Sequence, residues 1–237
     1  MSVPASALVT AVPFADRIAQ FLERVDYRLA ESAEDRDTIY RLRYDAYVRE
    51  GTVQPNLNRR VIDAYDSLPN AWIFGVYVDG QLASSFRLHV SSKEYSQLPA
   101  LQVFSDLLAP ELEAGKTIID PTRFVADPFG SPCPELPYAT VRLGYLAAEY
   151  FSADIVLATV RGEHQAFYKR VFGHRIMTTP RPYPALTKPI SLMALDFPAE
   201  REKIVVRYPF FHSTVFERRM LFERGGVTAA QRTATAA

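Results

Sequence analysis

The chain has 237 residues, of which 48% are hydrophobic and 23% are charged, and its 27 basic residues balance its 27 acidic ones. This composition is typical of a globular protein with a sizeable core, and the zero net charge argues against nucleic acid or an anionic membrane as a partner. The single cysteine, Cys133, excludes an intrachain disulfide, and no apolar run reaches the roughly 18 residues of a spanning helix. We therefore expect a cytoplasmic protein that does not insert into a membrane.

Helical patterns and one short strand occupy the first part of the chain. After a loose tail, an apolar stripe over residues 14–25 predicts a helix, and a short strand follows near 27–30. Ser32 is a candidate N-cap for a second helix that ends near Glu50. Residues 51–69 lack periodicity, and a connection of this length inside a compact domain is usually functional or mobile.

A β-hairpin is predicted next. Residues 71–78 and 81–90 have strand patterns, and Asp79 and Gly80 between them form a strong two-residue turn signal. One face of the second strand carries Ala83, Ser85, Arg87 and His89. Residues 94–114 predict a short helix and a loop before the next strand.

Polar residues interrupt the strand that follows. Asp120, Thr122 and Arg123 lie within an apolar segment, and burying a charge costs several kcal/mol unless it is paired or neutralised. A period of two places Thr122 and Phe124 on the face of Asp120, and Arg123 on the other face. Pro121 removes a ladder donor, so a neighbouring strand is expected to diverge or bulge here. We predict that this strand is the floor of an active site.

Helices and strands alternate in the second half. A proline-rich loop covers 127–137, an amphipathic helix is predicted over 138–151, and a buried strand over 153–160. This strand–helix–strand order predicts a right-handed parallel crossover. The remaining predicted elements are a helix at 163–172, strands near 174–179 and 186–197, a helix at 212–223 and a disordered end after 225. The whole is a mixed α/β sheet, antiparallel at one end with a parallel crossover in the middle.

Several segments of the chain resemble known acyltransferases. Residues 164–174 (HQAFYKRVFGH) resemble a helix of the GCN5-related N-acetyltransferase superfamily, the one that follows its fifth strand. Within that superfamily, the autoinducer (acyl-homoserine lactone) synthases and the N-acyl amino acid synthases are similar in residues 41–47 (RLRYDAY), in the pair Asp63 and Asp66, and in residues 86–89 (FRLH). The segment DPTRF from Asp120 matches that family's ExSRF, with Asp for Glu and Thr for Ser.

The resemblance implies a fold and a division of the chain. The fold would be a mixed, mostly antiparallel sheet with a central parallel crossover and splayed strands, flanked by helices. It would occupy residues 27–197 as the acyltransferase domain. Residues 1–26 would form an N-terminal tail and helix, and residues 198–237 a C-terminal helical extension with a disordered tail.

The resemblance also implies roles for substrate-binding residues. Arg43 and Tyr47 would lie on the helix beside the acyl carrier and the acceptor. Asp63, Asp66 and Arg87 would form an acidic and basic ring that orders a mobile loop over the substrate, gaining their partners on closure. The alternative for the two aspartates is a solvated loop.

Three catalytic residues are implied on the central strand. Asp120 would be the general base that takes the proton of the acceptor amine, while Thr122 and Arg123 would support the thioester and the acceptor. Phe124, from the same motif, counts among the substrate-binding residues. The alternative for Asp120 is a salt bridge with an arginine that only joins two strands.

The implied reaction is amide formation, in which a long-chain acyl group moves from acyl carrier protein to an amino acid, with tyrosine as one candidate acceptor. The loop 127–137 is a poor cradle for the pyrophosphate of coenzyme A, because its four prolines lack N–H groups. We expect no tightly bound cofactor and no metal. Two alternatives are an autoinducer synthase, disfavoured by Val53 where those enzymes carry a tryptophan, and a non-catalytic acyl-binding sensor, disfavoured by the charged residues of the strand.

Overall fold

The structure, a computed structural model, describes residues 12–126, 132–184 and 186–224. The strands are β1 (Val25–Leu29), β2 (Ala71–Val78), β3 (Gln81–Val90), β4 (Ile118–Ala126), β5 (Ile155–Val160), β6 (Arg175–Ile176) and β7 (Ser191–Asp196). The helices are α1 (Phe14–Leu22), α2 (Ala33–Arg49), α3 (Leu101–Glu113), α4 (Leu136–Tyr150), α5 (Gln165–Phe172), α6 (Phe197–Arg207) and α7 (Val215–Phe222), with a 3₁₀ turn at Ala64–Ser67.

The strands form one mixed sheet in the order β1-β2-β3-β4-β5-β7-β6. Neighbouring strands are antiparallel except β4 and β5, which are parallel and are joined through α4. The predicted mostly antiparallel sheet with a central parallel crossover is therefore confirmed.

Local sequence signals set two of the element boundaries. The Ser32 side chain accepts a hydrogen bond from the N–H of Asp35, and the Asp35 carboxylate accepts one from the N–H of Ser32, which forms a capping box at the start of α2. In the hairpin turn both Asp79 (φ 50°) and Gly80 (φ 81°) adopt the left-handed conformation. Such a turn matches the twist of the paired strands, so the turn chemistry fixes the register of β2 against β3.

Helices cover both faces of the sheet. The larger core lies on the α4 side, where Phe86 and Leu88 of β3 pack among Leu143 and Leu146 of α4, together with residues of α1, α6 and α7. On the opposite face, α2 packs over β2 and α3 packs over β4, β5 and β7. The face under α2 and α3 carries the buried charged residues described below.

The C-terminal part departs most from the predicted elements. Residues 197–207 form α6 directly after β7, with the Asp196 side chain as its N-cap. β7 begins at Ser191 and α7 at Val215, later than predicted. The predicted N-terminal tail, the first half of the proline-rich loop and the predicted disordered end fall on residues 1–11, 127–131 and 225–237, outside the described residues. None of the helices in the described ranges combines the length and apolar character needed to cross a bilayer.

Candidate active site

A cleft opens where β4 and β5 separate. The two parallel strands pair only at Ile118 with Ile155 and Ile119 with Val156. Pro121 follows in β4, and a proline cannot donate to the ladder, so the predicted divergence occurs at this position. The space between the diverging strands has a volume of about 400 Å³.

The walls of the cleft combine polar and apolar residues. Polar residues are contributed by Tyr47 of α2, by Glu50 just after it, and by Thr122 and Arg123 of β4; Thr52, Thr159, Arg161 and His164 also line the cleft. The apolar part of the wall comes from β4, β5, α5 and the segment before β7, and it includes Phe124, Val125, Leu157, Val160, Phe167, Tyr168, Leu186 and Ile190. The cleft can therefore hold an apolar chain together with a polar group.

A β-bulge changes the expected faces of β4. Arg87 pairs with Thr122 and Ser85 with Val125, so two residues of β4 oppose one residue of β3. Arg123 adopts φ 53°, an uncommon conformation for a residue with a side chain. The strict alternation predicted beyond Thr122 is therefore wrong: Arg123 lies on the charged side with Thr122, and Phe124 packs edge-to-face against Phe86 on the other side.

Five charged side chains form a continuous network under α2. Arg43 Nη1 donates to Asp66 at 2.8 Å, and Arg87 Nη1 lies 2.9 Å from the same carboxylate oxygen. Arg87 also donates to Asp63 at 2.6 Å, and Arg123 donates to Asp63 at 2.5 Å. These ion pairs form a continuous series, Arg43–Asp66–Arg87–Asp63–Arg123. It runs from a fully buried arginine to one on the wall of the cleft.

The two aspartates of this network are ionised. Burial alone would raise the pKa of Asp63, but hydrogen bonds and charge from Arg87 and the charge of Arg123 hold it far below its ordinary value. Burial is likewise outweighed at Asp66, where Arg43 and Arg87 lower the pKa. Three guanidinium groups thus face two carboxylates, and the network has one positive charge in excess.

These contacts correct one expectation for the segment 51–69. Asp63 and Asp66 were expected to gain arginine partners only when a loop closes. Both are already paired here, and their reciprocal hydrogen bonds cap the 3₁₀ turn Ala64–Ser67. The alternative of a solvated loop is also wrong for Asp66, which is buried.

Asp120 lies apart from this network and is fully buried. Its Oδ2 accepts a hydrogen bond of 2.8 Å from the N–H of Ala100, just before α3, and its Oδ1 has no partner in the part of the chain that the structure describes. Burial raises the pKa of Asp120 to about 7, while the bond from Ala100 and the charge of Arg87 oppose the rise. The alternative of a salt bridge to Arg87 or Arg123 is not formed among the described residues, where both arginines pair with the network aspartates.

Four of the predicted site residues line the cleft. Tyr47, Thr122, Arg123 and Phe124 line the cleft, and the Arg123 guanidinium lies 5.7 Å from the centre of the Tyr47 ring. The Thr122 hydroxyl accepts a hydrogen bond of 2.9 Å from Arg87 Nε, so its own O–H remains available to donate. Asp120 is not part of the cleft wall.

Comparison with known protein families identifies the family of this chain. A family model described as the N-acyl amino acid synthase FeeM matches residues 38–196, about two-thirds of the sequence. The chain belongs to the N-acyl amino acid synthase family. It is therefore an N-acyltransferase, an enzyme that joins an acyl group to an amine, as the resemblance in the motifs implied.

Solved structures share the fold of this N-acyl amino acid synthase family member. FeeM itself, from uncultured soil microbes, is 19% identical with a TM-score of 0.64, over 77% of this chain and 96% of its own. An acyl-CoA N-acyltransferase from Pseudomonas aeruginosa is 19% identical with a TM-score of 0.50, over 72% and 99%. The acyl-homoserine lactone synthase LasI is 13% identical with a TM-score of 0.51, over 72% and 89%. A comparison with curated protein sequences finds no match.

Three residues near Asp120 were not selected from the sequence. His89 lies opposite Asp120 in the register of β3 and β4, and the alternation of β3 already placed it beside Arg87. Tyr65, in the 3₁₀ turn, and Tyr183, in the segment before β7, lie within electrostatic range of Asp120. No local pattern marks these tyrosines, because they reach the site through long-range packing.

Proposed function

We propose that this N-acyltransferase moves a long-chain acyl group from acyl carrier protein to the amine of an amino acid, with tyrosine as the first acceptor to test. The observation that carries the proposal is the excess positive charge of the arginine–aspartate network. Its outermost member, Arg123, lines the cleft next to Tyr47 and Thr122. An amino acid acceptor brings a carboxylate that would balance this charge, and a guanidinium is well suited to bind it.

The acyl group would occupy the apolar part of the cleft. Leu157, Phe167, Leu186 and Ile190 contribute side chains to this wall. Each methylene moved from water into such a wall contributes about 0.8 kcal/mol. Donor affinity is therefore expected to rise with chain length until the cleft is filled, which favours a long-chain donor over an acetyl donor.

The chemistry requires a neutral amine, a stabilised oxyanion and a leaving thiol. The amine attacks the thioester carbonyl, the new C–N bond forms, and the C–S bond breaks, so that the sulfur of the carrier leaves as a thiolate and takes up the proton that the amine loses. Thr122 is proposed to donate its free O–H to the developing oxyanion, since its oxygen already accepts from Arg87. Asp120 is proposed to take the proton of the amine, because a pKa near 7 suits a base at neutral pH. Its burial outside the cleft wall implies transfer through a water molecule or a hydroxyl group.

The residues at the N-terminus of α4 favour acyl carrier protein over coenzyme A as the donor. Pro132, Pro134 and Pro137 lack the N–H groups that bind a pyrophosphate, and Glu135 adds a negative charge at this helix terminus. A carrier's pantetheine arm has one phosphate and no nucleotide. Acyl-CoA is the alternative donor, since a structurally similar enzyme is an acyl-CoA N-acyltransferase.

The test is turnover with defined donors. The protein is incubated with a palmitoyl-loaded acyl carrier protein and an equimolar mixture of the twenty amino acids, and products are identified by mass spectrometry. The expected product is an N-acyl amino acid, made with a higher kcat/KM than from the matching acyl-CoA. Asp120→Asn is the matched control and should lower kcat by about 100-fold or more.

Separate outcomes overturn separate parts of the proposal. No amide product with any amino acid would overturn the acceptor class. The autoinducer synthase alternative is tested in a parallel incubation in which S-adenosylmethionine replaces the amino acids, and a homoserine lactone product there would favour it. Equal kcat/KM for the two donors would overturn only the assignment of the carrier. Retained turnover in Asp120→Asn would remove Asp120 from the mechanism.

A further inference from the structure

His89 and Asp120 face each other across β3 and β4. They are register partners in the antiparallel pair, and neither side chain has any exposed surface. The Cβ atoms of directly opposed residues lie about 4.5–5.5 Å apart, close enough for polar side chains to interact. His89 has no part in the proposed reaction so far.

Each of the two side chains uses one polar atom and leaves the other without a partner among the described residues. Asp120 Oδ2 accepts from the N–H of Ala100, and its Oδ1 is unpartnered. His89 Nε2 lies 2.9 Å from the carbonyl oxygen of Tyr65, and its Nδ1 is unpartnered. A carbonyl only accepts, so Nε2 carries the proton of a neutral ring and Nδ1 is a bare acceptor. Burial, assisted by the charge of Arg87, lowers the pKa of His89 to about 4, which keeps the ring neutral.

Oδ1 of the ionised carboxylate and Nδ1 of the neutral ring are both acceptors, and neither has a donor among the described residues. Leaving such atoms unpaired is costly, and native structures pair them with protein or with water. The charged and titratable groups that interact with one or both members of the pair are Arg87 on β3, Asp63, Tyr65 and Asp66 at the 3₁₀ turn, and Tyr183 before β7. Arg43 on α2 and Arg123 on β4 are joined to Arg87 through the two network aspartates. Arg87 favours the ionised form of Asp120 by its charge, but its guanidinium is bound to Thr122, Asp63 and Asp66 and does not donate to Oδ1.

We propose that His89 is a positioning residue for Asp120: when Asp120 is protonated on Oδ1, its O–H donates to Nδ1 of His89. The hydrogen bond exists only when Asp120 is protonated, so it raises the proton affinity of the carboxylate. The catalytic consequence rests on the proposed function. There, the proton that leaves the acceptor amine passes through Asp120 Oδ1 to the departing thiolate, His89 stays neutral, and no oxidant or reductant takes part.

The substitution His89→Gln separates this role from a structural one. A glutamine amide can still donate to the carbonyl of Tyr65 but has no atom equivalent to Nδ1. His89→Asn is the reverse exchange, because it keeps a polar atom near Nδ1 and loses the contact with Tyr65. His174, another buried histidine, packs beside the rings of Tyr168 and Phe172, and His174→Gln is the control.

The titration of Asp120 itself is the readout, and it needs no substrate. Protein labelled with ¹³C-aspartate is titrated by NMR, and Asp120→Asn assigns the carboxyl signal. His89→Gln should lower the midpoint of Asp120 by about half a unit to one unit, a 3- to 10-fold loss of proton affinity for one net hydrogen bond. His89→Asn and His174→Gln should leave the midpoint within about 0.3 units of the wild type.

Two results would overturn the proposal. A midpoint that is unchanged in His89→Gln means that Nδ1 does not accept this hydrogen bond, and an equal drop in His174→Gln means that the effect is not local. The acid limb of kcat/KM against pH is then measured for the same variants. An NMR midpoint that falls while the rate profile stays unchanged supports the pair and overturns Asp120 as the base, so the two proposals fail separately.

Discussion

Replacing Asp120 by asparagine should stabilise the protein at alkaline pH while it removes activity. The carboxyl group is fully buried and forms one hydrogen bond, to the N–H of Ala100. An asparagine side chain can accept the same bond through its oxygen and never ionises. At high pH the wild type must instead bury an ionised carboxylate without a paired cation, which is costly.

The size of the effect follows from the pKa of Asp120. Its pKa is raised from 3.8 to about 7 in the folded protein, so its stabilising contribution is complete below pH 4 and is lost as the pH rises through 7. At 1.36 kcal/mol per pKa unit, the raised pKa of Asp120 lowers the unfolding free energy by about 1.6 kcal/mol at pH 5 and by about 4 kcal/mol above pH 8. The unfolding free energy of the wild type should therefore fall by about 3 kcal/mol more than that of Asp120→Asn between pH 5 and 8.5.

Urea denaturation at several pH values between 5 and 8.5 measures this difference. Other titrating groups are common to both proteins and cancel in the comparison. Asp79→Asn is the matched control: Asp79 is an exposed turn residue whose pKa is lowered by Arg24, so its removal should shift stability by the same amount at every pH tested. Parallel curves for the wild type and Asp120→Asn would refute the reasoning, because they would mean that Asp120 does not change its ionisation in this range.

Three further predictions concern stability away from Asp120. Asp63→Asn removes the carboxylate shared by two arginines and should lower the unfolding free energy, measured by urea denaturation, by about 2–3 kcal/mol, less than the loss of a fully buried pair. Asp45→Asn, at an exposed pair, is the control and should lower it by less than about 0.5 kcal/mol. Arg142→Met removes bonds to two C-terminal carbonyls and to a glutamate, and should lower the unfolding free energy by about 3 kcal/mol, with earlier proteolysis after α6. Ser32→Ala should lower the unfolding free energy by about 1 kcal/mol without changing kcat/KM, and Ser32→Gly should lower it by only a few tenths of a kcal/mol.

Much of the fold follows from local sequence signals. The turn residues Asp79 and Gly80 predicted the hairpin β2–β3 with its observed ends, since only a few residues accept the left-handed conformation twice in succession. Ser32 predicted the start of α2 through its side-chain oxygen. Pro121 predicted the divergence of β4 from β5, because a proline cannot continue the ladder.

Local signals failed where a segment depends on distant partners. The helix α6 was missed because its helical pattern is weak, and its stability comes from burying Phe197 and Ile204 against the main core. The bulge that turns Arg123 toward Asp63 depends on two residues that are 60 positions apart. A period of two, applied along the strand, cannot include such a partner.

The chemistry of the central strand divides in the same way. The sequence by itself determined that Asp120, Thr122 and Arg123 stand in a strand of the core, and its motifs identified the acyltransferase family. Only the tertiary structure decided that Arg123 joins a network of three arginines and two aspartates at the cleft, and that Asp120 stays outside it beside His89. The physical reason is that charge balance and burial are properties of all neighbours in space, and α2, α3 and the segment 51–69 bring those neighbours from distant parts of the chain.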